Sequence, residues 1–181
     1  MNAPLAMTFT DPTSIVNALD IQEGDIVADF GCGAGFFSLE FAKRVGSEGK
    51  VYAFDILPSS LEAVTSGAKT MNLINVTPKR ANLEKENGSG LSPESIDWVL
   101  LKDILLQNEK KDIILKEASR ILKKGGHMLV MEWNAEDTLV GPDAGIRISP
   151  EDLTTLVTAI GLTVEKELPV GGYHYAFVIK K

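Results

Sequence analysis

The stretch Ile26-Val27-Ala28-Asp29-Phe30-Gly31-Cys32-Gly33-Ala34-Gly35-Phe36-Phe37 decides the architecture. It begins as a short β-branched run and passes through three glycines at alternate positions. It then continues into apolar residues at helical spacing: Phe36, Phe37, Leu39, Phe41, Ala42 and Val45. A strand that ends in a glycine-rich turn and feeds a helix opens a βαβ unit. Glycine accepts the tight turn and lets a ligand come against the main chain. A second short run, Val51–Phe54, ends at Asp55, 20 residues after Gly35. A carboxylate at that strand end can accept hydrogen bonds from both hydroxyls of a ribose. The pair of features points to a nucleoside-containing cofactor at the carboxyl ends of the first two strands.

Outward from this unit, apolar runs and amphipathic runs alternate. Val76–Arg80, Ile96–Leu101, Gly126–Glu132, Leu162–Leu168 and His174–Lys180 read as further strands. The last two are separated by Pro169-Val170-Gly171-Gly172-Tyr173, a hairpin signal. Asp11-Pro12 opens a helix to Leu19, and Ser59-Ser60-Leu61-Glu62 offers a capping box before a helix to about Met71. Lys110–Leu122 is a fourth helical run, stopped by Gly125-Gly126. Ser149-Pro150 starts another, running to Ile160 and ended by Gly161. This alternation predicts an α/β fold, a mostly parallel sheet with an antiparallel last strand. A single domain is expected over residues 1–181, with residues 1–20 as an N-terminal helical segment placed to act as a partial lid.

Composition narrows the partners. The 181 residues carry 18 Lys plus Arg against 25 Asp plus Glu, a net charge of −7 and a pI near 4.9. A nucleic-acid partner wants a basic face, so this balance disfavours one. One cysteine, Cys32, and two histidines, His127 and His174, leave no disulfide framework and no Cys- or His-built metal site. Met1–Thr10 lacks the basic and apolar pattern of a secretory signal, and no apolar run approaches the ~20 residues of a membrane span. A cytoplasmic protein is expected.

The glycine spacing chooses among nucleosides. The dinucleotide fingerprint is G-x-G-x-x-G, whereas here the spacing is G-x-G-x-G with Phe36 at the sixth position. Asp29, two residues before the first glycine, would repel a pyrophosphate and would suit an ammonium or sulfonium. The chain accordingly resembles the class I S-adenosylmethionine-dependent methyltransferases. Asp29–Gly35 matches that family's first motif and Asp55 its ribose-binding acid. Ser119-Arg120-Ile121-Leu122-Lys123-Lys124-Gly125-Gly126 resembles the family's R-x-L-K-x-G-G segment before strand five. The resemblance runs from about Asp20 to Lys181 and is nearest to the ubiquinone/menaquinone and arsenite types. It implies a Rossmann-like three-layer sandwich whose seven-stranded sheet places strand seven between five and six. It also implies S-adenosylmethionine held by Asp29, Gly31, Gly33, Gly35, Asp55, Ile56, Asn82, Leu83 and Asp103. Asn82 stands where the family often has Asp against the adenine amino group, and its alternative role is to cap a turn. Ile56 and Leu57 are expected over the adenine or in ordinary packing.

The methyl acceptor is less legible. Sites in open α/β sheets lie at the carboxyl ends of the strands, which brings Asp103, Glu132 and His174 to one edge as catalytic candidates and puts His127 on the other. Each has a plainer reading: a solvated loop for Asp103, an ion pair with Arg147 or a lysine for Glu132, a packed strand residue for His174. Trp133, Arg147 and Tyr173 are candidates for the acceptor pocket. The amino-methyltransferase signature is missing after strand four, where Lys102-Asp103-Ile104-Leu105 stands, and one cysteine does not suit arsenite. A small, partly apolar acceptor is the expectation. The competing readings are a cofactor-binding subunit or sensor without turnover, methylation of a macromolecule recruited by a partner, and a nicotinamide oxidoreductase. The only spare segments are Met1–Asp20 and the Trp133–Ile148 loop, so a shallow cleft is expected, either closed by a partner subunit, such as a second copy in a homodimer, or covered by those two segments.

Overall fold

The computed structural model describes residues 10–136 and 140–181. Seven strands form one sheet: β1 Ile26–Phe30, β2 Lys50–Asp55, β3 Val76–Arg80, β4 Ile96–Lys102, β5 Leu122–Trp133, β6 Thr163–Leu168 and β7 His174–Lys180. Their order is β3-β2-β1-β4-β5-β7-β6. The first five pair in parallel, and β7 runs antiparallel to both neighbours. The strand order implied by the resemblance is the one observed.

Both faces of the sheet are covered, so successive residues alternate between two cores. Trp98 and Leu100 of β4 join Val27, Val51, Leu129 and Met131 under α1 Pro12–Asn17 and α2 Phe36–Val45. Val99 and Leu101 turn the other way, joining Phe30, Phe54, Met128 and Val130 under α4 Lys111–Ile121 and α5 Pro150–Ala159. Helix α3, Pro58–Thr70, packs on β2, β3 and α2 through Val64 and Ala68. Fully burying one such large apolar side chain contributes about 1.5–3 kcal/mol, so the two layers supply most of the driving force.

Three local expectations are corrected. The capping box at Ser59–Glu62 does not form: α3 starts two residues earlier, with Leu57 as its N-cap and no side-chain cap, because Pro58 supplies a preset φ at N1. Helix α4 is not stopped by Gly125-Gly126. It ends at Ile121, and β5 begins at once with Leu122 beside Ile96 before the register shifts to His127 beside Trp98. Helix α1 ends at Asn17, short of Leu19; its Asp11 cap is real, accepting from Thr13 N and Ser14 N at 3.2 Å each. Ser149 likewise caps α5 through Asp152 N at 3.0 Å.

Candidate functional site

β1 and β4 are neighbours in space while the chain leaves β1 in one direction and reaches β4 from the other. At this reversal the helices on the two faces diverge and leave a crevice beyond the strand ends. A cleft of about 430 Å³ opens there, lined by Asp29, Gly31, Gly33, Phe36, Lys102, Asp103, Trp133 and His174 among others. A second cavity of about 180 Å³ lies beside it, lined by Asp55, Ile56, Asn82, Leu83, Glu84, Ile104 and Gln107. Gln107 borders both.

The glycine turn is tied down from β2. Gly31 N and Cys32 N both donate to Phe54 O at 2.9 Å, and Gly33 N donates to Asp55 Oδ2 at 3.0 Å. Asp55 Oδ1 accepts from Leu57 N at 2.9 Å, so each carboxylate oxygen keeps a lone pair for a further donor. Gly33 has φ +50, and no atom lies within 4 Å of where a Cβ would stand. The space over this backbone is available to a ligand. Gly35 is different. It has φ +83, caps α2, and a Cβ there would come within 2.6 Å of Val64 Cγ2, so packing of α2 against α3 fixes this glycine; it lines neither cavity.

Asp29 is buried at 2% exposure, and its Oδ2 accepts from Ser38 Oγ at 2.5 Å. Burial pushes its carboxyl up to about 6, the Ser38 hydrogen bond opposes this, and the negative Asp55 adds to it. Asp103 turns out of β4 with φ 54, and its N–H donates to Met131 O at 2.9 Å. His174 Nε2 lies 3.1 Å from Asp103 Oδ1, and Lys102 forms an ion pair with the same carboxylate. Burial would raise the Asp103 carboxyl, but His174 and Lys102 together hold it below the usual carboxylate range. Burial pushes the Cys32 thiol up, so this cysteine stays a thiol packed beside Ala53 and Val64.

The other expected residues divide. Asn82 lines the second cavity, and its Oδ1 accepts from Glu84 N at 3.0 Å, the turn-capping role. Leu83 is buried beside it, while Ile56 and Leu57 are more than half exposed at the rim. Glu132 lines neither cavity: it is fully buried and accepts Leu105 N at 2.8 Å, which pins the loop after β4. Its ion pair with Arg147 does not form. The Arg147 guanidinium instead donates to the carbonyls of Asn134, Glu136 and Pro142, gathering the loop after β5. Trp133 lines the cleft and packs against His174 in a tilted arrangement, with centroids 4.4 Å apart and the ring planes at 41°. His127 is on the opposite sheet edge, stacked on Trp98 and 3.3 Å from Glu165. Lys102, Ser38 and Gln107 escaped the sequence reading, since no motif marks them; Gln107 is fixed by a 2.8 Å bond from its Nε2 to Asp103 O.

A family model described as a methyltransferase domain matches residues 21–164. The chain belongs to this family, as a class I S-adenosylmethionine-dependent methyltransferase. Similar curated relatives include the ubiquinone/menaquinone biosynthesis C-methyltransferase UbiE of Haemophilus ducreyi, 30% identical over 120 residues, 66% of this chain and 45% of that protein. The UbiE of Neisseria meningitidis is 33% identical over 119 residues, 66% of this chain and 47% of that one. The chain thus spans about half the length of the curated relatives it matches. Among solved structures, a SAM-dependent methyltransferase from Aquifex aeolicus superposes with a TM-score of 0.85 at 23% identity, covering 94% of this chain and 89% of that one. The [4+2]-cyclase SpnF superposes at 0.79 with 15% identity, covering 99% and 89%; both show the fold.

The residues present fit the family's cofactor. S-adenosylmethionine carries an ammonium, a sulfonium and a carboxylate, and the cleft carries two carboxylates, Asp29 and Asp103, with one ammonium, Lys102. Asp55 keeps lone pairs for ribose hydroxyls, and the cavity beside it has the apolar walls Ile56, Leu83 and Ile104 that a purine ring needs.

Proposed function

We propose that this protein transfers a methyl group from S-adenosylmethionine to a small acceptor bound at the His174–Trp133 end of the cleft. The carrying observation is the continuous arrangement of Asp55, the open Gly33 backbone, buried Asp29 and Asp103 at the β1–β4 reversal. Asp55 would hold the ribose, Asn82, Leu83 and Ile56 the adenine, and Asp29, Lys102 and Asp103 the charged amino-acid end and the sulfonium. The bond to methyl is weakened by the positive sulfur when the cofactor is bound. The chain's own share is to align the acceptor in line with that bond and to exclude water.

The relatives named for ubiquinone and menaquinone biosynthesis support a small, partly apolar acceptor. So do the apolar walls Phe36, Phe37, Leu100 and Trp133. No helix among the described residues is long and apolar enough to cross a membrane. A cytoplasmic location and a homodimer that closes the cleft mouth go with this reading. Calorimetric titration with S-adenosylhomocysteine tests it: wild type binds in the micromolar range, and Asp55→Ala loses at least about tenfold, the worth of roughly 1.4 kcal/mol of hydroxyl bonding. Absence of binding to the wild-type chain removes the proposal.

A further inference from the structure

Three side-chain amides border the smaller cavity: Asn82 after β3, and Gln107 and Asn108 in the turn before α4. Backbone partners set which end of each amide is left for a ligand. A backbone N–H only donates and a backbone carbonyl only accepts. Asn82 therefore turns its Oδ1 to Glu84 N, 3.0 Å away, and keeps the hydrogens of Nδ2. Gln107 and Asn108 are set the opposite way. Gln107 Nε2 donates to Asp103 O at 2.8 Å and Asn108 Nδ2 to Ile104 O at 2.6 Å, so each keeps its side-chain carbonyl oxygen. No partner among the described residues takes up these remaining groups. Glu84 borders the same cavity, with its Oε1 on Lys110 N at 3.1 Å, and its charge strengthens the accepting side.

We propose that Gln107 and Asn108 select the purine of the cofactor, accepting from its 6-amino group while Asn82 donates to a ring nitrogen beside that group. This rests on the methyl-transfer reading above, which puts the adenosyl group in this cavity. A 6-amino purine offers two N–H donors next to a ring acceptor. The cavity offers the complement: acceptors on the turn after β4 and a donor amide after β3. Residue 82, to which the resemblance assigns the amino group, is thereby turned to another task. An amide whose oxygen is turned to Glu84 N presents a donor, and a carboxylate there has none to give. A 6-oxo purine reverses the exocyclic group. Its carbonyl oxygen would face two carbonyl oxygens and the Glu84 carboxylate. Turning either amide to meet it breaks the bond to Asp103 O or Ile104 O. Polar groups left unmatched under a bound ligand cost more than a matched bond gains. Gln107 also borders the larger cleft, and Asp103, whose backbone carbonyl orients it, lines that cleft too. The same turn therefore reads the base and places Asp103.

The test compares, by calorimetry on the full chain, the binding of S-adenosylhomocysteine with that of S-inosylhomocysteine, its 6-oxo counterpart. Wild type is expected to favour the 6-amino ligand by at least about thirtyfold. Gln107→Met and Asn108→Leu keep side-chain size and remove the acceptors. Together they are expected to weaken S-adenosylhomocysteine at least about tenfold and to leave S-inosylhomocysteine within about threefold, so that the preference collapses. A purely structural loss would lower both affinities alike. Asn82→Asp keeps the oxygen that meets Glu84 N and removes the donor; it is expected to weaken S-adenosylhomocysteine at least about fivefold. Equal affinity of wild type for the two ligands overturns the proposal. So does a preference that survives in the double variant, or an Asn82→Asp protein that binds S-adenosylhomocysteine more tightly than wild type. Failure of the wild-type chain to bind S-adenosylhomocysteine at all sinks the methyl-transfer reading and this inference with it, whereas binding without selection sinks the inference alone.

Discussion

Asp29 is the residue whose chemistry depends most on what occupies the cleft. Its carboxyl is pushed up to about 6 by burial, against the pull of the Ser38 hydroxyl. A cation entering the cleft interacts with the ionised form only, so binding must drive the proton off. Affinity for S-adenosylmethionine is therefore expected to rise as pH rises through about 6 and to level off above it. Below that value, binding should release close to one proton. Calorimetry in buffers of different ionisation enthalpy measures the release, and Asp29→Asn should abolish it and weaken binding by about tenfold or more. A pH-independent affinity in wild type between pH 5 and 8 would refute the assignment. Asp29 and Asp55 were legible in the sequence because both sit within one short unit, on strand ends whose direction the glycines announce. His174 and Asp103 were visible only as separate candidates. They are 71 positions apart, and their contact exists because β7 is inserted beside β5 and runs antiparallel, carrying its first residue to the edge where Asp103 leaves β4.

At the scale of elements, the turn after β4 is what brings Asp103, Gln107 and the cleft floor into place, and one buried carboxyl on β5 holds it. Glu132 accepts Leu105 N at 2.8 Å, and its second oxygen has no hydrogen-bond partner among the described residues. Burial pushes this carboxyl up to about 8, and the nearby Asp103 charge adds to the effect that the Leu105 N–H opposes. Folding thus favours the protonated form over the unfolded chain, in which the group titrates near 4.5. The stability it contributes is present in full below pH 4.5 and is lost as pH rises through about 8. Glu132→Gln keeps an acceptor for Leu105 and removes the titration. It should match wild type near pH 4.5 and exceed it at pH 9 by on the order of 2–4 kcal/mol, read by urea unfolding. Equal pH dependence of the two proteins would exclude this origin. The sequence placed Glu132 at the correct strand end but could not aim it. Every residue from Met128 to Glu132 is buried, so alternation along β5 carries no inside–outside signal.

For the whole molecule, the two sheet edges are built for different tasks. The carboxyl edge of the parallel strands collects Asp29, Asp55, Asp103 and the bare Gly33 backbone. The opposite edge closes on itself, with His127 stacked on Trp98 and paired with Glu165, and Lys181 bonded through Nζ to Ser119 O and Leu122 O at 2.7 Å. That division was readable from the strand–helix alternation, since a parallel sheet has one ligand edge whatever its loops contain. A ligand that binds only the folded cleft must stabilise the fold by about 2.7 kcal/mol at 100 times its Kd. For a chain of this size that is a Tm increase of roughly 5–10 °C. S-adenosylhomocysteine should therefore raise Tm by that amount, and His127→Ala should leave the increase unchanged even if it lowers Tm itself. Hydrogen exchange should localise the effect. The amides of Gly33, Asp55 and Asp103 should slow, whereas those of Thr163 and Lys180, on the closed edge, should slow only as far as global stability requires. Protection centred on the His127 edge, or a Tm increase abolished by His127→Ala, would move the binding site away from the β1–β4 cleft.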